Sequence, residues 1–130
     1  MKSIYLILAV LFIDGTALAE EKEQYQSSPQ LVISSFFAFL KKNDEKKLIE
    51  LLAPLRQKDM PRDIEGWHYW LDLWRRCDVV KFAGAPLPTG SSKYDETVLV
   101  PVEYKCVHRP NFNDAIKISR VAKSWYWDEN

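Results

Sequence analysis

The apolar pattern of this chain changes period at Cys77, and that change sets the class of fold. Before Cys77, hydrophobic residues recur at helical spacing; after it they alternate with period two. The last helical signal is EGWHYWLDLWRRCD, Glu65 to Asp78. With Trp67 at zero, Leu71 falls at about 40°, Trp74 at about 340°, Trp70 at about 300°, Cys77 at about 280° and Leu73 at about 240°. These residues cover one arc of about 160°, while His68, Asp72, Arg75 and Arg76 gather between about 80° and 180°. Read as a strand, both faces would mix apolar and charged groups. The spacing therefore predicts an amphipathic helix, capped by Asp63 and weakened by Gly66 in its first turn.

Two further helices are predicted upstream. Ser28 and Pro29 supply an N-cap and a first-turn proline. Val32, Phe36, Phe39 and Leu40 then form a buried stripe, widened by Ile33 and Phe37. Asn43 suits the left-handed end of that helix, and Asp44 caps the next. The second helix carries Leu48, Leu51, Leu52 and Leu55, and Pro54 is expected to stop or kink it. RQKDMPRD, residues 56–63, reads as a connecting loop.

Downstream, CDVVKFAG reads as a short strand. Residues 85–96 form a Pro-, Gly- and Ser-rich loop. In TVLVPVEYKCVH, Val98, Val100, Val102, Tyr104, Cys106 and His108 share one face, and Pro101 suggests an edge or a bulge. A final hairpin turns at Ala122-Lys123. The result is an α+β class: three N-terminal helices packed on an antiparallel sheet of about four strands.

The first residues read as an export signal. Lys2 precedes the apolar run Ile4–Ile13, and Ala17-Leu18-Ala19 has the small-residue cleavage pattern. The run is about ten residues, against the roughly twenty a spanning helix needs. The predicted organisation is residues 1–19 as signal peptide, 20–27 as a flexible polar lead and 28–130 as one domain. The chain is then exported, periplasmic if bacterial and otherwise secreted, with no stable membrane anchor after cleavage. Cys77 and Cys106 are 29 residues apart. An even cysteine count in an exported chain predicts a disulfide; two buried free thiols are the competing reading.

Lysine plus arginine and aspartate plus glutamate each number 18, so net charge gives no electrostatic case for nucleic acid. Two histidines and a bridged cysteine pair leave no metal-ligand spacing, and no cofactor motif is present. No catalytic constellation is assigned. His68 and Asp72 stand four residues apart, but both lie on the polar arc, where a surface ion pair of Asp72 with Arg76 is the plainer reading.

The tryptophans are the remaining lead. Trp70 and Trp74, with Tyr104 and His108 from the sheet, are candidate ligand-binding residues; aromatic walls suit apolar or cationic groups. The alternative is that they are core. Trp125 and Trp127 are candidates for an outer interaction surface.

SPQLVISSFFAFLKKNDEKKLIELLAP, with its Asn43-Asp44 step and the tryptophan-rich last strand Ser124 to Asp128, resembles nuclear transport factor 2-like domains. The resemblance implies a cone in which a strongly curved sheet wraps the helices, often with a pocket and often dimeric. On this reading the chain binds a partner protein or an apolar small molecule without catalysis. The rivals are an isomerase- or dehydratase-like enzyme using a pocket acid or histidine, and a dimerising structural subunit of an envelope assembly.

Overall fold

Ser28 and Pro29 start the first helix by the chemistry expected of them. Ser28 is extended and its hydroxyl accepts the Leu31 N–H at 3.2 Å, while Pro29 occupies the first turn, where no donor is needed. The computed structural model describes residues 22, 24–90 and 93–129; the predicted signal peptide lies outside them. Helix α1 (Pro29–Lys41) buries Val32, Ile33, Phe36, Phe37, Phe39 and Leu40, the stripe its spacing predicts. Asn43 turns the chain at φ 55°, and the Asp44 carboxylate accepts the Lys47 N–H at 3.3 Å to begin α2 (Glu45–Leu51).

Pro54 does not end a helix; it opens one. Helix α3 (Pro54–Asp59) is followed by a 3₁₀ turn (Met60–Asp63) and by α4 (Ile64–Trp74). There are thus four described helices where three were expected, and the stretch read as a loop is helical. Neither α3 nor the 3₁₀ turn buries a residue, so no apolar stripe announces them. Their signal is a proline in each first turn, Pro54 and Pro61. Polar contacts hold α3 in place: Leu55 N–H donates to Tyr94 Oη at 3.2 Å, Arg56 Nε to Asp128 at 3.0 Å, and Gln57 Nε2 to the Leu52 carbonyl at 2.7 Å. The helices are therefore not one layer on the sheet. α1 packs across it, α2 reaches β5, and α3 stands outside the core.

The end of the polar lead also belongs to the fold. Residues 24–26 are helical. Tyr25 packs edge-on against Phe39 at 5.0 Å, and buried Gln26 donates to the Trp125 carbonyl at 2.9 Å. A glutamine is buried there because that carbonyl satisfies it.

The sheet comprises β1 (Cys77–Phe82), β2 (Leu87–Pro88), β3 (Glu96–Cys106), β4 (Phe112–Val121) and β5 (Ser124–Trp127). It is antiparallel and curled into a half-barrel, ordered β1-β3-β4-β5, with β2 also on β3. The alternation in β3 is as predicted: Val98, Val100, Val102, Tyr104 and Cys106 face the core. Ala122, at φ 54°, makes the last turn.

Pro101 lies neither on an edge strand nor at a bulge, because β3 is flanked on both sides and the bulge falls in β1 between Val79 and Lys81. It faces Ala115 on β4, while its carbonyl accepts the Ala83 N–H at 2.9 Å just past β1. Its missing donor therefore points to the gap between the end of β1 and β2, where no acceptor of the ladder needs it. Cys77 and Cys106 are direct register partners, with Cα atoms 4.0 Å apart, and they are disulfide-bonded. The bond fastens the chain just after α4 to the end of β3.

Candidate functional site

Five aromatic rings meet where α4 crosses the end of β5. Phe36 of α1, Trp67, Trp70 and Trp74 of α4, and Trp127 of β5 line a cleft of about 220 Å³, together with Leu52, Met60 and Leu71. Trp127 is 2% exposed and stacks on Phe36 at 3.8 Å between ring centroids, with planes 8° apart. Its backbone is fixed too, since its carbonyl accepts the Ala53 N–H at 2.8 Å. Trp74 stands edge-on to Trp127 at 6.2 Å. Larger hollows of about 770 Å³ beside Tyr25 and about 710 Å³ beside Tyr94 gather three aromatic rings and one, against five here. The cleft is therefore the place where aromatic side chains converge.

Helix α4 presents its indoles through a local device. The Asp63 carboxylate caps the helix by accepting the Gly66 N–H at 3.3 Å. A Cβ on Gly66 would lie 2.5 Å from Asp63 Oδ2. The glycine expected to weaken the first turn is what lets the capping carboxylate close over it.

The buried side of α4 is displaced from the middle of its apolar arc. Leu71 is buried and Trp67 and Trp74 are half-buried, so the helix faces inward near the leading edge of the arc. Trp70, toward the trailing edge, is 47% exposed at the rim of the cleft, with Tyr69 its edge-on neighbour at 6.0 Å. His68 is exposed as expected, but its partner is Glu45 at 2.8 Å, and Asp72 pairs with Arg75, not Arg76.

The predicted site residues separate accordingly. Trp70 and Trp74 share the cleft. Tyr104 does not reach it; it is fully buried against Trp74 at 5.4 Å and Phe37 at 5.8 Å. His108 is exposed in the turn after β3, at φ 61°, because the strand ends at Cys106 before the alternation can carry it inward. Trp127 is a core and cleft residue, not an outer surface, because the face of β5 that carries it lies under α1. Trp125 is half-buried at the edge of the core, with Arg120 over its ring at 5.8 Å.

A polar chain behind the cleft was not anticipated. Arg56 Nε donates to Asp128 Oδ1 at 3.0 Å, Ser119 Oγ donates to Asp128 Oδ2 at 2.8 Å, and the Ser119 and Thr97 hydroxyls bond at 2.7 Å. Ser119 and Thr97 are cross-strand partners, so correct pairing of the hairpin was the signal that could have found them. The chain anchors α3, and with it the Arg56, Asp59 and Met60 side of the cleft.

The Tyr104 hydroxyl has no hydrogen-bond partner among the described residues. Burial pushes its pKa well above the ordinary 10.0, and the nearby Asp114 and Glu129 carboxylates push it further. An acid whose folded pKa is raised stabilises the fold below the unfolded pKa, and that stability is lost as pH rises past 10. Alkaline difference spectroscopy is expected to show one tyrosine ionising only as the protein unfolds. Ionisation of all tyrosines near pH 10 in folded protein would place Tyr104 in water.

No family model and no curated protein matches this chain. Among solved structures it is similar to a SEC-C motif containing protein from Rhodopseudomonas palustris, at 18% identity over 88% of this chain and 84% of that one, with a TM-score of 0.49. These comparisons hold no evidence for a nuclear transport factor 2-like domain, and the resemblance drawn from the Asn43-Asp44 step and the tryptophan-rich strand is corrected on that ground. Those features mark a helix-to-helix turn and a core-facing last strand, which many α+β chains need.

Proposed function

We propose that this protein is an exported binding module, without catalysis, whose aromatic cleft takes an apolar small molecule. The carrying observation is the convergence of Phe36, Trp67, Trp70, Trp74 and Trp127 on one cleft, with Trp70 left half in water at its rim. A tryptophan held at that position keeps apolar area available to a ligand. The side chains suggested for proton transfer, His68, Asp72 and His108, lie at the surface away from the cleft. Export is supported by the sequence of residues 1–19 and by the Cys77–Cys106 bond, since such bonds persist in oxidising compartments.

Nile red, a neutral apolar dye, tests the reading. Its emission is expected to rise and shift to the blue with the purified protein, and Trp70→Ala is expected to weaken binding about tenfold while changing stability by no more than about 0.5–1 kcal/mol. Unchanged dye emission would remove the apolar-ligand reading. Periplasmic or medium fractions analysed by intact mass test export: a chain beginning at Glu20 is expected.

A partner protein is the second reading, favoured by the exposed pair Tyr69 and Trp70 on α4. A second copy of the chain is the simplest such partner. Concentration-dependent gel filtration that collapses to monomer in Tyr69→Ser would favour it over the small molecule.

A further inference from the structure

The charge around the aromatic cleft is one-sided. Asp59, Asp63 and Glu129 line it, and Arg56 is its one basic lining residue. The Arg56 guanidinium is engaged by Asp128, which is nearly buried. Among the described residues, Asp63 accepts the Gly66 N–H at 3.3 Å and Glu129 the Lys117 N–H at 2.8 Å; both donors are neutral, so the carboxylate charges are not cancelled by those contacts. Three carboxylates thus stand beside an aromatic lining in which Trp67, Trp70 and Trp74 keep exposed area, and both groups attract positive charge.

We propose that the ligand of this cleft is an organic monocation with apolar substituents, an alkylammonium or quaternary ammonium group. The inference rests on the cleft being a small-molecule site and adds its ligand class. Size agrees. The cleft of about 220 Å³ is smaller than drug-sized pockets, which run from roughly 300 Å³ upward. That is the scale of a compact headgroup. An ammonium bearing methyl groups is weakly hydrated and suits contact with the indoles of Trp67, Trp70 and Trp74, while the rim carboxylates supply long-range attraction. A carboxylate or phosphate ligand of the same size meets three like charges at the rim and is disfavoured.

Choline and its neutral carbon isostere, 3,3-dimethylbutan-1-ol, separate charge from shape. Binding to the disulfide-bonded protein is measured by calorimetry at fixed ionic strength. Choline is expected to bind at least about tenfold more tightly than the isostere. Asp59→Asn is the companion variant, because Asp59 is exposed and makes no capping contact; it is expected to weaken choline several-fold and leave the isostere unchanged. Equal affinity for the two compounds would overturn the cation inference and leave the apolar site standing. Tighter binding of the isostere would have the same meaning. Binding of neither compound, with no Nile red response, would overturn the cleft as a small-molecule site altogether; binding of neither with a normal Nile red response would overturn the cation inference alone.

Discussion

Trp127→Ala is expected to lower the unfolding free energy by about 3–5 kcal/mol, the range for removing a large buried aromatic. Against a typical total of about 5–15 kcal/mol, that leaves the protein close to unfolding. Trp127 is 2% exposed, lies flat on Phe36 at 3.8 Å, and stands edge-on to Phe37 and Trp74 at 6.3 and 6.2 Å. Deleting the indole removes a partner from each ring at once, and three rigid elements, α1, α4 and β5, must collapse to fill the gap. Urea unfolding followed by circular dichroism measures the loss. A cost below about 1 kcal/mol would mean that β5 carries its tryptophans on an outer face, the reading its sequence first suggested.

Reduction of the Cys77–Cys106 bond is expected to cost about 3–4 kcal/mol, from a closed loop of 29 residues. For a domain of this size the melting temperature should fall by about 15–25 °C. The bond joins direct cross-strand partners, so β1 and β3 need no rearrangement to form it. Its effect should extend to the cleft, because Cys77 follows α4 after two residues and limits how far that helix can lift from the sheet. Reduced protein, or Cys77→Ala with Cys106→Ala, should therefore bind Nile red more weakly even below its melting temperature. Alkylation without reductant should leave both cysteines unlabelled. A melting temperature indifferent to reductant would show that the bond carries no stability.

The parts of this fold that bury apolar surface were legible in the sequence. The stripe of α1, the caps Ser28, Asp44 and Asp63, the left-handed Asn43 and the inward face of β3 each follow from periodicity or from local hydrogen bonding. Helix α3 was not legible, because hydrogen bonds to Tyr94, Asp128 and Leu52 hold it and no side chain of it is buried. The rotation of α4 was also hidden. An apolar arc of about 160° is wider than the face one neighbouring layer can cover, and the sequence does not say which edge stays wet. That edge carries Trp70. Tyr104 and Trp127 were given outward or ligand-facing roles because alternation assigns residues to faces without saying what covers each face. His108 follows the period of β3 but stands past its last residue, so the pattern carried it two positions too far.

The central claim is that Trp67, Trp70, Trp74 and Trp127 enclose a ligand site at the meeting of α4 and β5. Fluorine NMR of protein labelled with 5-fluorotryptophan tests it most directly, since the chain has five tryptophans, each assignable by single substitution. Titration with choline, and separately with 3,3-dimethylbutan-1-ol, should move the signals of Trp67, Trp70 and Trp74, with a smaller shift at Trp127, and leave Trp125 unmoved. A spectrum in which Trp125 alone responds would contradict it, as would one in which no resonance moves with either compound or with Nile red.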